Sequence, residues 1–162
     1  MNATGIWIEN QDDTVEIIPV PRGETPGHLA RIGLITLSSG MTCEEEMHTM
    51  LPTGTMVLTT RIRNQDSVNL STLADMEDDL VRSASTLLPE GHLDALVYSC
   101  TSGTIAMGEE SVFRHLRTVK PGIAVTTPFT GAVTALETLG CKQITMLTPY
   151  TEEVTRAMRH EL

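Results

Sequence analysis

Cys100 is the residue whose type and placement could do chemistry. It follows Leu93-Asp94-Ala95-Leu96-Val97-Tyr98-Ser99 and precedes Thr101-Ser102-Gly103-Thr104. The largely apolar run from Leu93 to Tyr98, β-branched and aromatic between turn signals, predicts a buried strand. Thr-Ser-Gly-Thr is loop and helix-cap chemistry. The thiol therefore stands at the C-terminal edge of a sheet, facing backbone N–H groups that have no partner inside the next helix. Such amides bind carboxylates and favour a thiolate. A lone cysteine is most often a small buried hydrophobe; its position and the four residues after it set Cys100 apart from that reading.

The other candidates each carry a plainer alternative. Thr101 and Ser102 either cap the following helix or hold a substrate. Tyr150, just after Thr148-Pro149, either packs as an aromatic at a helix start or turns its hydroxyl towards a ligand. Cys141 follows Gly140 and precedes a strand, which puts it at the opposite edge of the sheet, more than roughly 15 Å from the strand's other end; its expected role is structural. Cys43 lies on the correct edge, in the first turn of a helix, where core or surface is expected ahead of a supporting role. The five histidines fall in different elements without ligand spacing, so no metal site is expected. Ser38-Ser39-Gly40-Met41 stands where a dinucleotide fingerprint would follow the first strand, and no phosphate-binding loop with lysine occurs. No cofactor is expected.

The elements that must position these residues alternate regularly from Ala30 onward. Strands are predicted at Ile32–Leu37, Thr55–Thr60, Leu93–Tyr98, Ile123–Thr126 and Gln143–Thr148. Helices are predicted at about Thr42–Leu51, at 70–88 from the recurrence of Leu70, Leu73, Met76, Leu80, Ala84 and Leu87, at Glu109–Val119, at Thr130–Leu139 and from Thr151 onward. Glu44-Glu45-Glu46 sits where the helix dipole favours acids. This alternation implies an α/β fold, a parallel sheet with helices on both faces, and ligands beyond the carboxyl ends of its strands. Those ends are Ser38-Ser39-Gly40, Thr60-Arg61, Cys100-Thr101-Ser102, Thr127-Pro128 and Thr148-Pro149-Tyr150, without one acidic residue. Residues 1–29, punctuated by Pro21, Gly23, Pro26 and Gly27, read as an N-terminal arm with two short extended pieces, packing on the domain or on a partner subunit, with disorder as the plainer alternative.

The 162 residues suffice for one domain or one and a fraction. With 11 basic and 21 acidic residues the net charge is −10, which argues against a nucleic-acid partner and an anionic membrane surface. No apolar run approaches the ~20 residues of a membrane span. Three cysteines without paired spacing, and no signal-peptide pattern at Met1–Gly5, make the cytoplasm the expected location.

With Cys100 and Tyr150 placed, the chain resembles the aspartate/glutamate racemase superfamily. The nearer likeness is to its branch of maleate cis-trans isomerases, arylmalonate decarboxylases and the ectoine-utilisation protein EutA. The matching pieces are Ile32-Gly33-Leu34-Ile35 with Ser38-Ser39, Thr60-Arg61-Ile62, Cys100-Thr101-Ser102-Gly103-Thr104, Thr126-Thr127-Pro128, Ala135–Gly140 and Thr148-Pro149-Tyr150, in family order. The resemblance implies cofactor-independent chemistry beside a carboxylate, between two cysteines supplied by two similar α/β domains. In racemases one thiolate removes the α-proton and the other thiol delivers one to the opposite face. In maleate isomerases the first cysteine adds to the double bond, allows rotation and is expelled. By that resemblance Cys100 is the first cysteine, Ser39, Thr101 and Ser102 hold carboxylate oxygens, Tyr150 contacts the substrate, and a homodimer is expected.

Two departures stand out. Family members usually carry Asn or Asp where Gly40 stands. The second cysteine is expected beyond Leu162, so residues 30–140 read as the first α/β domain and residues 141–162 as the first strand and helix of a second. Either a longer polypeptide or another chain is expected to complete the site. Decarboxylation of a malonate-type acid and plain carboxylate binding are the alternatives to isomerisation or racemisation.

Overall fold

The computed structural model describes residues 5–9, 15–19, 23–65 and 67–162. Strands β1 (Gly5–Glu9) and β2 (Val15–Pro19) pair antiparallel, so the two extended pieces expected in the arm form a hairpin. Residues 10–14 and 20–22, and with them where the arm packs, lie outside the described residues.

From Ala30 the chain alternates as its periodicity requires. Strand β3 (Ala30–Leu37) is followed by α1 (Cys43–Met50), β4 (Thr55–Ile62), α2 (Leu70–Ala74) and α3 (Glu77–Ser85). Strand β5 (Ala95–Tyr98), α4 (Thr101–Met107), α5 (Glu109–Val119), β6 (Ala124–Thr126), α6 (Pro128–Thr138) and α7 (Glu152–Glu161) complete it. The four strands run parallel in the order β4-β3-β5-β6, and Ile35 stands between Thr60 and Tyr98 across the ladder. The chain leaves β3 for one side of the sheet and later enters β5 on the other. The carboxyl ends of β3 and β5 therefore flank a topological switch point, where α/β sheets open a crevice.

One face of the sheet holds the core. Leu96 and Tyr98 on β5 pack with Leu80, Ala84, Leu87, Val112 and Leu116, all buried. Gly33 makes this possible: a Cβ there would lie 2.6 Å from Leu96 and 3.1 Å from Leu87 and Leu93. Full burial of such aliphatic side chains contributes roughly 1.5–3 kcal/mol each. The opposite face is covered less completely. Helix α1 has no buried residue, and an apolar groove of about 520 Å³ runs between Met47, Met50 and Leu51 and the half-buried Ile32, Ala95 and Val97.

Several elements differ from their sequence expectation. The amphipathic stretch 70–88 is broken into α2 and α3 at Asp75–Met76, because the Asn69–Thr72 capping box fixes one start and Glu77, Asp78 and Asp79 favour another. A helix begins directly at Thr101, ahead of the one at Glu109; Gly108 at φ 81° separates the two. Ser102, Gly103 and Thr104 are poor helix formers, and burial against neighbouring elements overrides propensity there. Gln143–Thr148 forms no strand: no described strand offers it a ladder, and Ile144 and Leu147 stay exposed. The chain from Gly140 instead leads to α7, which packs on α4 through its buried Val154 and Met158. Among the described residues no helix is long and apolar enough to cross a membrane.

Candidate active site

Cys100 sits two residues past the paired part of β5 and is the N-cap of α4, in extended backbone at φ −148°, ψ 102°. The extended conformation turns the chain out of the sheet, and the side chain folds back to accept from the Gly103 N–H at 3.3 Å. That bond directs a backbone dipole at the sulfur and favours negative charge there. Ser102 Oγ lies 3.8 Å from the sulfur, and Thr104 Oγ1 donates to the Cys100 carbonyl at 2.8 Å, fixing the first turn. Capping thus falls to Cys100 itself; Thr101 and Ser102 are the first two helical residues, and neither supplies the cap.

Gly103 has no space for a side chain. A Cβ would lie 2.4 Å from the Tyr98 hydroxyl, 3.0 Å from Cys100 Sγ and 3.2 Å from Met76 Cε. Tyr98 is fully buried, and desolvation first, then the negative charge carried by an ionised Cys100, pushes its phenol far above the usual range.

The sulfur opens onto a cavity of about 310 Å³ at the switch point. Ser39, Cys100, Thr101, Ser102 and Tyr150 all line it, so the structure brings together every site residue expected from sequence. Tyr150 is half-buried, packs against the core and also borders the cavity. Pro128 at the start of α6 lies on the same rim. Cys43 is outside the cavity, but its Sγ is 2.9 Å from the hydroxyl of Ser99, a lining residue, which makes it a neighbour of the site. Cys141 is exposed and lines a different depression with Leu136 and Ile144. Among the described residues no group of three or more His, Cys, Asp or Glu side chains could hold a metal ion.

The far wall comes from a segment that carries no periodic signal. Asn64, Gln65, Ser67 and Val68, between β4 and α2, line the cavity together with Thr72, Leu73 and Met76. Asn64 Oδ1 accepts from Ser38 Oγ at 2.9 Å and from the Ser39 N–H at 3.2 Å, tying this segment to the end of β3. Arg61 does not face the cavity: its guanidinium donates to the carbonyls of Leu37 and Gly40 at 3.0 and 2.7 Å and pairs with Glu44. It is a clamp on the β3–α1 loop. Among the described residues the cavity is lined by hydroxyls, amides and apolar side chains, none of which carries a fixed charge.

No protein-family model matches the sequence, and no curated protein matches it. Solved structures do. The chain is similar to maleate isomerase Iso from Pseudomonas putida S16, with a TM-score of 0.66 and 26% identity over 82% of this chain and 60% of that one. Nocardia farcinica maleate cis-trans isomerase bound to TRIS gives a TM-score of 0.65 and 24% identity over 79% of this chain and 56% of that one. Unliganded arylmalonate decarboxylase gives 0.55 and 17% over 80% and 54%. The last two are likenesses of fold alone, and the chain spans about 60% of the length of the first. The parallel sheet, its switch-point cavity and these neighbours together give the chain the fold of the maleate isomerase and arylmalonate decarboxylase branch of the Asp/Glu racemase superfamily.

Proposed function

We propose that this chain carries the nucleophilic half of a cofactor-independent isomerase acting on a small carboxylate, with Cys100 as the reacting group. The observation that supports this reading is the convergence of Ser39, Cys100, Thr101, Ser102 and Tyr150 on one cavity, with the sulfur already accepting a backbone N–H. In this reading the Ser39, Thr101 and Ser102 hydroxyls and the first amides of α4 hold carboxylate oxygens, and Tyr150 contacts the substrate from the other rim.

For an unsaturated dicarboxylate such as maleate, the Cys100 thiolate forms an S–C bond while the π pair moves to the neighbouring carbon, where the carboxylate delocalises it. Rotation about the resulting single bond follows. Return of the pair then breaks the S–C bond, restores the thiolate and leaves the trans isomer. Electrons balance without oxidant or cofactor. Transfer of a proton between opposite faces would need a second acid. Addition and elimination use the Cys100 thiol alone, the thiol that lines the cavity among the described residues. A second domain, of which residues 141–162 would be the start, or a second copy of the chain would close the open side.

The test is turnover of maleate and of a malonate-type acid, followed by proton NMR, in the chain and in Cys100→Ala. The expected result is a cis-to-trans product that falls at least a hundredfold in the variant, in line with loss of a covalent nucleophile. Equal turnover in both proteins would overturn the role of Cys100. Release of CO₂ from the malonate-type acid would assign decarboxylation. Thermal stabilisation by either acid without product, in both proteins, would make the chain a carboxylate-binding module.

A further inference from the structure

The Tyr98 hydroxyl is buried and makes no hydrogen bond of normal geometry with any described group. Buried hydroxyls are rarely left so, because an unpaired one keeps the cost of leaving water. Its surroundings identify a partner. Phenol and thiol crowd the one point where residue 103 lacks a Cβ, and the third atom at that point, Met76 Cε, is apolar. The phenol oxygen is therefore a neighbour of the Cys100 sulfur, reached from the core and not from the cavity, which Tyr98 does not line.

We propose that Tyr98 is a positioning residue whose phenol O–H donates to the Cys100 sulfur when that sulfur is a thiolate. A neutral thiol is a weak acceptor, so the bond is poorly formed in the resting protein; a thiolate is a strong one, and the bond becomes charge-assisted. Together with the Gly103 N–H, the phenol gives the anion a second donor and fixes the direction in which its free lone pairs enter the cavity. Burial keeps the phenol protonated, and so a donor, throughout the range in which a thiol titrates. Gly103 is what lets the two groups share this site, since any Cβ would push between them. The inference rests on Cys100 as the reacting group, but its test needs no turnover.

The experiment follows iodoacetamide alkylation of each cysteine by peptide mass between pH 5 and 10, in the chain and in Tyr98→Phe. Phenylalanine keeps the shape of the ring and removes the donor alone. The midpoint of the Cys100 curve is expected to move up by about one pH unit, the size of one hydrogen bond to a charged group, while the exposed Cys141 stays where it is. A second variant covers the case in which Tyr98→Phe does not fold. The chain has two tyrosines, so Tyr150→Phe grown with 3-fluorotyrosine carries a more acidic phenol at position 98 alone. There the Cys100 midpoint moves down relative to Tyr150→Phe with ordinary tyrosine. Coincident Cys100 curves within each pair, or a Cys100 that stays unreactive across the range, would overturn the role of Tyr98. Loss of turnover in Cys100→Ala is independent of either result.

Discussion

Asp94 closes the turn into β5 with two reciprocal bonds: its carboxylate accepts from the Arg31 N–H at 2.7 Å, and its own N–H donates to the Arg31 carbonyl at 2.9 Å. That backbone bond first, and His92 at 3.1 Å second, hold the Asp94 carboxyl below its usual value of 3.8. A carboxyl lowered by folding stabilises the protein fully above its unfolded value and progressively less as pH falls below it. Asp94→Asn should therefore weaken the chain at pH 7 more than at pH 3. Urea midpoints at the two pH values check this, and an equal loss at both would remove the carboxylate from the account. Legibility at this scale followed residue chemistry. Cys100 stood out by its place after a strand, Ser39 entered only through the family resemblance, and Thr101, Ser102 and Tyr150 each kept a structural alternative until the cavity they share was on view. Asn64 was not legible, because a loop amide announces nothing until the loop it binds, Ser38-Ser39, is beside it.

Among the elements, α2 governs the far wall of the cavity, since it contributes Thr72 and Leu73 and begins where the Asn64–Val68 segment ends. It has only five residues, and a helix that short depends on its cap. Asn69 Oδ1 accepts from the Thr72 N–H at 3.0 Å, and Thr72 Oγ1 returns the bond to the Asn69 N–H at 3.2 Å. Asn69→Ala should cost about 1 kcal/mol in chemical unfolding, and an unchanged midpoint would show that packing alone forms the turn. Four of the five strands expected from Ala30 onward, and most helices, were legible from periodicity. The errors share one cause. Helix α4, the break between α2 and α3 and the absent strand at Gln143–Thr148 all depend on what lies next to a segment. An apolar run can be recognised in a sequence, but a ladder needs a second strand, and a helix of Ser, Gly and Thr needs a core to bury it.

For the molecule as a whole, the cavity is assembled from the ends of β3, β4 and β5, the start of α6 and the approach to α7, so no single segment contains it. The fold class was legible because alternation of strand and helix admits few topologies. The order β4-β3-β5-β6 was not, since nothing local to a strand names its neighbour. The two faces of the sheet differ in their protection. One is sealed by α3 and α5. The other carries α1, which buries no residue and is held near its N-terminal end by Arg61 with Glu44 and by Cys43 with Ser99. Cooperative units open in order of the contacts that hold them. Amide hydrogen exchange should therefore reach α1 through a local opening, while β3 and β5 exchange only with global unfolding; protection of α1 equal to that of β5 would refute the ranking. The same ranking gives the molecule two free-energy levels under one fold. The lower level belongs to α1, which borders the apolar groove; the loop before it stays tied by Arg61 and Asn64, so the helix can loosen and re-form many times within the lifetime of a single folded sheet while the Ser39 rim of the cavity keeps its place.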